Sequence, residues 1–227
     1  MAVLFQAIVR RWRRQRRRQI VGRAYDMALE VARVVPEGSR VLDVGCGNGF
    51  IAHHLTGLLG SRVVGLDVNE NIEAKIPYFP YDGRHFPVSD QSFDAVLLCY
   101  VLHHAQNCSL VLAEVRRVLK PGGLVFVYED DPTGRWNQMV CWTHDRKWRH
   151  RTGPCTFRLA QHWRSVFDKA DFDVVLERPL SRWRNLAHPV SRNLFVLRSI
   201  GSRSLMDPSP RTEPVGSTAK SEAYAAA

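Results

Sequence analysis

Apolar residues at 20, 21, 24, 28, 31, 32 and 35 recur at helical spacing, which predicts an amphipathic helix over Ile20–Val35, stopped by Pro36-Glu37-Gly38. Beyond that point the pattern changes to short apolar runs. Arg40–Val44, Arg62–Asp67, Phe93–Tyr100 and Leu124–Tyr128 read as buried strands, with Phe79–Asp82 as a briefer one. Between them, Phe50–Leu59 (ending at Gly60) and Ser109–Leu119 read as helices, the second turning Val111, Val115 and Val118 inward. Lys120-Pro121-Gly122-Gly123 closes that helix. After Asp131 the pattern loosens for about 25 residues rich in Trp, His and Arg. Thr156 is then expected to cap a helix with Leu159, Trp163, Val166 and Phe167 on one face, and Phe172–Leu176 and Asn193–Arg198 read as closing strands. Strands alternating with helices imply an α/β fold whose parallel sheet is covered on both faces. Ligands then sit beyond the carboxyl ends of the strands.

The most informative segment is Val41-Leu42-Asp43-Val44-Gly45-Cys46-Gly47-Asn48-Gly49. An apolar strand ends in an acid, and glycine then stands at every second position. Such a loop lets the backbone press against a ligand, because glycine carries no side chain to hold it away. A dinucleotide fingerprint needs glycines at the first, third and sixth positions, and the sixth position counted from Gly45 is Phe50. What stands here, Asp-x-Gly-x-Gly-x-Gly, resembles motif I of the class I S-adenosylmethionine-dependent methyltransferases, in the manner of a methyltransferase type 11-like domain.

Further segments carry that resemblance through roughly residues 38–131, and 156–198 follow it in outline. It implies a Rossmann-like, doubly wound, mostly parallel seven-stranded sheet with an antiparallel last strand. It also implies S-adenosylmethionine as cofactor. Gly45, Gly47 and Gly49 would approach it by backbone, as would Cys46, and Asp43 would meet its amino group. Val63-Val64-Gly65-Leu66-Asp67 is similar to the family's second strand, so Asp67 would take both ribose hydroxyls, a role suited to a carboxylate. In the stretch from Asp82 to Asp94, Asp82 would take the adenine amino group, with Gly83 beside it and Val68 against the ring. Cys99 would present backbone to the methionine portion. Ala170-Asp171-Phe172 departs from the Ala-Gly-Phe that the family often has. Each residue also has a purely structural reading: the glycines as a tight turn, Asp43 as a helix cap.

Methyl transfer from a sulfonium is a displacement that depends on positioning, and a base is needed only where a proton must leave. Tyr100, His103 and His104, just after the fourth strand, are the candidate catalytic residues; a histidine there titrates near neutral pH. Glu129, Asp130 and Asp131 also fall on the ligand side. The segment 132–156, with Trp142, His144, Trp148 and His150, is a candidate lid over the acceptor. A metal is not expected: His53-His54 and His103-His104 are adjacent pairs, and no Cys-x-x-Cys or His-x-x-x-His accompanies them.

Composition bounds the rest. With 227 residues and 45% hydrophobic content, the chain suits one domain, here residues 19–200. Five scattered cysteines give no disulfide framework, which points to a reducing, cytoplasmic setting. The net charge of +10 is concentrated in residues 1–18 and shortly beyond, where eight arginines lie between Arg10 and Arg23 behind a stripe of Leu4, Phe5, Ile8, Val9 and Trp12. This extension has four open readings: a solvated arm, peripheral attachment to an anionic inner-membrane surface, contact with RNA phosphates, or a targeting segment. Residues 201–227, rich in Ser, Pro, Ala and Gly, are expected to be disordered. The function this supports is methylation of a small-molecule acceptor, at oxygen or carbon and with a lipophilic acceptor in view. The rivals are an RNA methyltransferase and a non-catalytic cofactor-binding partner protein. Against the first rival, the position after strand four reads Cys99-Tyr100-Val101-Leu102 rather than the Asn/Asp-Pro-Pro-Tyr/Phe of amino-directed nucleic-acid enzymes.

Overall fold

The computed structural model describes residues 2–200. The tail expected to be disordered lies outside them, as do the side chains of Leu4, Phe5, Ile8 and Trp12 in the N-terminal stripe. The elements are α1 (Ala2–Ala32), β1 (Val41–Val44), α2 (Phe50–Leu59), β2 (Val63–Asp67), β3 (Tyr78–Pro80) and β4 (Phe93–Cys99). They continue with α3 (Cys108–Val118), β5 (Leu119–Asp130), α4 (Gly134–Thr152), α5 (Ala160–Asp168), β6 (Phe172–Leu180) and β7 (Arg192–Ser199). One sheet of seven strands runs in the order β3-β2-β1-β4-β5-β7-β6. β3, β2, β1, β4 and β5 pair in parallel, and β7 is antiparallel to both β5 and β6. The fold is therefore the Rossmann-like arrangement expected.

Alternation along the central strands builds two cores. Leu42, Val44, Val96, Leu98, Val125 and Val127 point to one face, where α3 and α5 supply Val111, Val115, Trp163 and Phe167. Val41, Ala95, Leu97 and Phe126 point to the other, against Ala28 and Val31 of α1 and Ala52 and Leu55 of α2. Because β1, β4 and β5 are buried on both faces, their sequences are continuously apolar. Phe167 stacks on Trp163 at 5.9 Å and meets Phe195 edge-on at 5.3 Å, tying α5 to β7.

Three elements differ from their expected form. α1 runs unbroken from residue 2, through the compositional boundary at 18/19, because Arg, Gln and Ala are good helix formers and only Gly22 interrupts them. Arg17 already reaches the domain, 3.5 Å from Glu73 and over the Phe50 ring. The loosely patterned stretch after Asp131 is a helix, α4. Its buried side is only Asn137, Val140, Cys141 and Asp145, too narrow for a clear apolar period, and Arg146, Lys147 and Arg151 lie over Trp142 and Trp148 instead. Thr156 does not cap α5, which begins after Leu159; its backbone N–H donates to the His103 carbonyl at 2.7 Å. Among the described residues no helix is long and apolar enough to cross a membrane.

Phe167→Ala should cost about 3–5 kcal/mol in urea unfolding, the range for deleting a fully buried aromatic ring. A loss below about 1 kcal/mol would show that α5 contributes little to the core.

Candidate functional site

The carboxyl ends of β1, β2, β4 and β5 meet at one edge of the sheet. After β1 the glycine loop turns into α2 with Gly45, Gly47 and Gly49 all at positive φ, between 55° and 79°. Two of these positions have a steric requirement. A Cβ on Gly45 would fall 2.5 Å from Val101 Cγ2, so the loop could not pack on the β4 loop. A Cβ on Gly47 would enter open space, since nothing lies within 4 Å. Gly47 is therefore required by its φ of 55° rather than by crowding, whereas a Cβ on Gly49 would fall 2.5 Å from Ile72 Cδ1.

Three carboxylates surround this loop in three different environments. Asp43 is buried, and neither of its oxygens has a hydrogen-bond partner. Burial, with a smaller push from the Asp67 charge, raises its pKa from the ordinary 3.8 to about 7; the Ala52 backbone N–H offsets this slightly without reaching hydrogen-bond geometry. Asp67 accepts from the Gly47 N–H at 2.8 Å and the Asn69 N–H at 2.8 Å, which fixes its carboxylate beside the loop. Asp82 is exposed, and one of its oxygens accepts from the backbone of Arg84 and His85, each at 2.8 Å. Those two bonds hold its pKa below the ordinary value and leave its second oxygen unused. The Asp82 loop is itself pinned to α3. Glu114 accepts the Phe86 N–H at 2.7 Å, and Arg117 donates to the carbonyls of Phe86 and Val88.

These positions suit S-adenosylmethionine. The unpartnered Asp43 oxygens offer a buried carboxyl that an ammonium group would draw into its ionised form, and the space beside Gly47 is open. Val68 is exposed beside Gly83, where an added Cβ would contact it at 3.5 Å. Cys46 turns its thiol back onto Gly65 of β2, with its pKa raised first by burial, so only its backbone faces the loop. Cys99 is half-buried at the end of β4, and burial raises its thiol well above the ordinary range.

The β4 loop carries the expected catalytic residues. Tyr100 adopts a left-handed φ of 62°, a strained state for a side chain of this size. Its N–H donates to the Tyr128 carbonyl at 2.8 Å, and Arg192 lies over its ring at 5.5 Å. His103 is completely buried: its Nδ1 is 2.6 Å from Glu129 Oε2, its ring stacks on Phe157, and its Nε2 has no partner. Burial disfavours the charged ring, but the adjoining Glu129 carboxylate outweighs it and holds the His103 pKa above ordinary. His104 Nε2 lies 3.1 Å from His144 Nε2 of α4. Burial, helped by neighbouring histidines, lowers His104 to about 3 and His144 to about 4.

A cavity of about 610 Å³ opens beside the glycine loop. Asn48 and Ile51 line it at the loop end, and Tyr100, Asp130, His144 and His188 line it at the other. Of the three catalytic candidates, Tyr100 faces this cavity, whereas His103 and His104 stand behind its wall. The cavity-facing polar pair is His188 and Asp130, with His188 Nε2 at 2.7 Å from Asp130 Oδ2. Arg192 Nε is 3.1 Å from the other Asp130 oxygen, at an angle that leaves attraction by charge without a hydrogen bond. No periodicity or motif marks His188 in the sequence, and His144 stood there only as one member of a lid. α4 reaches the site because the Trp136 indole donates to the Pro189 carbonyl at 2.8 Å.

Residues 42–127 match the family model described as a methyltransferase domain. The sterol 24-C-methyltransferase ERG6B of Gibberella zeae is 37% identical over 108 residues, 42% of this chain and 28% of that protein. The human thiol S-methyltransferase TMT1B is 30% identical over 161 residues, 63% of this chain and 65% of that protein. The match thus spans less than a third of the sterol enzyme. Among solved structures, a S-adenosylmethionine-dependent methyltransferase from Methanosarcina mazei superposes with a TM-score of 0.60 at 17% identity, covering 75% of this chain and 96% of that one. That likeness concerns the fold alone.

Between pH 4 and 7 the folded chain keeps the Asp43 proton while the unfolded chain has lost it. Stability should therefore fall as pH rises through that window, by up to about 4 kcal/mol for this group alone. Urea unfolding at about pH 5 and about pH 8 should show a steeper drop for the wild type than for Asp43→Asn. Parallel pH profiles would remove Asp43 as the cause.

Proposed function

Because the chain belongs to the class I S-adenosylmethionine-dependent methyltransferase family, we propose that it methylates a small, largely apolar acceptor bound in the cavity beside the glycine loop. The single observation that carries this reading is that cavity. It has the size of a small-molecule site, and it runs from Asn48 of the glycine loop to Tyr100 and His188. Ile20 and Met27 of α1, Ile51, Leu180 and Trp148 give it an apolar wall, set among polar and charged groups such as Arg23, Asp26, Lys147 and His188. The names of the relatives, a sterol C-methyltransferase and a thiol S-methyltransferase, support a small acceptor and leave its identity open. A pocket between helices favours this over RNA as the acceptor.

Asp43 would hold the cofactor's ammonium, Asp67 its ribose hydroxyls, and Asp82 with Val68 and Gly83 its adenine. When bound, the cofactor supplies a methyl group on a positively charged sulfur. Charge balance then sets what the protein must do, because a neutral acceptor methylated at oxygen or carbon has to lose one proton. The group placed to take it is His188, which lines the cavity and is held through Nε2 by Asp130. Tyr100, fixed by its strained backbone and by Arg192, would orient the acceptor. Burial pushes its phenol pKa upward, so it remains a hydrogen-bond donor at neutral pH.

Calorimetry should detect S-adenosylmethionine and S-adenosylhomocysteine binding, weakened by about 1.5–3 kcal/mol in Asp67→Ala through loss of charged hydrogen bonds. No heat from either ligand would overturn the cofactor assignment. Once a screen with radiolabelled donor has found an acceptor, His188→Gln should lower turnover about 10²–10⁴-fold while leaving donor affinity unchanged. Undiminished turnover would exclude His188 as the base.

A further inference from the structure

A histidine cluster at the cavity wall has an unexplained chemistry. His103, His104 and His144 come from the β4 loop and from α4, and one ring nitrogen from each lies within 4.8 Å of the others. Simple hydrogen bonding accounts for part of the cluster. His144 and His104 can share one proton across their 3.1 Å Nε2···Nε2 contact, and His104 Nδ1 then meets Thr152 Oγ1 at 3.1 Å. Among the described residues it does not account for His103. With Nδ1 committed to Glu129, the remaining nitrogen, Nε2, is buried and makes no hydrogen bond among the described residues. An unmade hydrogen bond of this kind costs about 1–3 kcal/mol.

We propose that His103, His104 and His144 bind one divalent transition-metal ion of the zinc type. Three imidazole nitrogens are a donor set that suits zinc and its neighbours. At metal–nitrogen distances of about 2.0–2.1 Å, tetrahedral ligands stand about 3.3 Å apart, close to the His104–His144 separation. The Glu129–His103 contact is the second feature such a site needs. A carboxylate on the far ring nitrogen fixes the ring and its free nitrogen, as in carboxylate–histidine–zinc arrangements. His144 supplies a route in, since it lines the cavity while His103 does not. Asp130, His144 and His188 also lie within reach of one another, but there His188 is already satisfied by Asp130, and the Arg192 guanidinium beside that carboxylate disfavours a cation. The three-histidine set is therefore the one assigned. It does not depend on the methyl-transfer reading.

The test uses the full chain, stripped with EDTA and titrated with Zn²⁺ against a chromophoric chelator. One equivalent should bind tightly. His104→Ala and His144→Ala should each weaken binding at least about tenfold, whereas His188→Ala and the exposed His150→Ala should leave it unchanged. Absence of a competing equivalent, or an equal loss in His188→Ala, would overturn the assignment. Co²⁺ gives a readout that needs no variant: the wild-type complex should show the visible bands of a tetrahedral nitrogen-bound ion, and a featureless spectrum would also overturn it. Each measurement is made without donor or acceptor, so failure here leaves the methyl-transfer reading standing.

Discussion

The site hangs on the Glu129 carboxylate, buried at the end of β5. A carboxylate taken out of water costs several kcal/mol unless its lone pairs are filled. Glu129 fills them from the neighbouring strand's loop: Oε1 accepts the Leu102 N–H at 2.8 Å, and Oε2 holds His103 Nδ1 at 2.6 Å. The path of the chain after β4 follows from those two bonds. His103 then sets the position of Phe157 by stacking and of Thr156 through its carbonyl, so the segment leaving α4 is seated on the same carboxylate. One buried carboxyl group thereby joins the β4 loop to the segment that follows α4.

The cofactor side is governed by different physics. Asp43, Asp67 and Asp82 are chemically alike, yet burial raises the pKa of the first, backbone N–H groups orient the second, and solvent with a local turn keeps the third ionised. On the proposed assignment, a ligand carrying an ammonium, a pair of hydroxyls and a polar ring edge would meet a different acceptor at each point. The free chain keeps one of those acceptors, Asp43, at the cost of an unsatisfied buried carboxyl. That cost is removed only when a cation or other donor arrives.

Much of this was legible in the sequence, for identifiable reasons. Buried parallel strands are apolar along their whole length, so β1, β2 and β4 stood out, and α2 ended at Gly60 because that residue takes the left-handed conformation. The departure at Asp171 also has a physical meaning. Its φ of 59° explains why glycine suits the position, and an ion pair with Arg116 accompanies the aspartate there. What could not be read was whatever depends on contact between distant segments. α4 lacks an apolar face because it covers a cavity rather than a core. Spacing along the sequence speaks against a metal because adjacent histidines diverge, yet α4 brings His144 to the His103-His104 pair across 40 residues.

The boundary of the family match falls in an instructive place. It ends at Val127, just before Glu129 and Asp130, the two acids that close β5. The carboxylates at 43, 67 and 82 lie inside it, whereas α1, α4 and the loop carrying His188 lie outside. α1 is nonetheless bound into the fold: Glu30 accepts from the Tyr128 hydroxyl at 2.9 Å and pairs with Arg178 and Arg184 of the closing segments. The cavity is thus walled partly by the matched segment, through Asn48, Ile51 and Tyr100, and partly by α1, α4 and the segments after β5 that lie outside it. A relative's acceptor cannot be carried across on the identity of residues 42–127 alone, since Ile20, Met27, Trp148, Leu180 and His188 of the cavity wall lie outside that match.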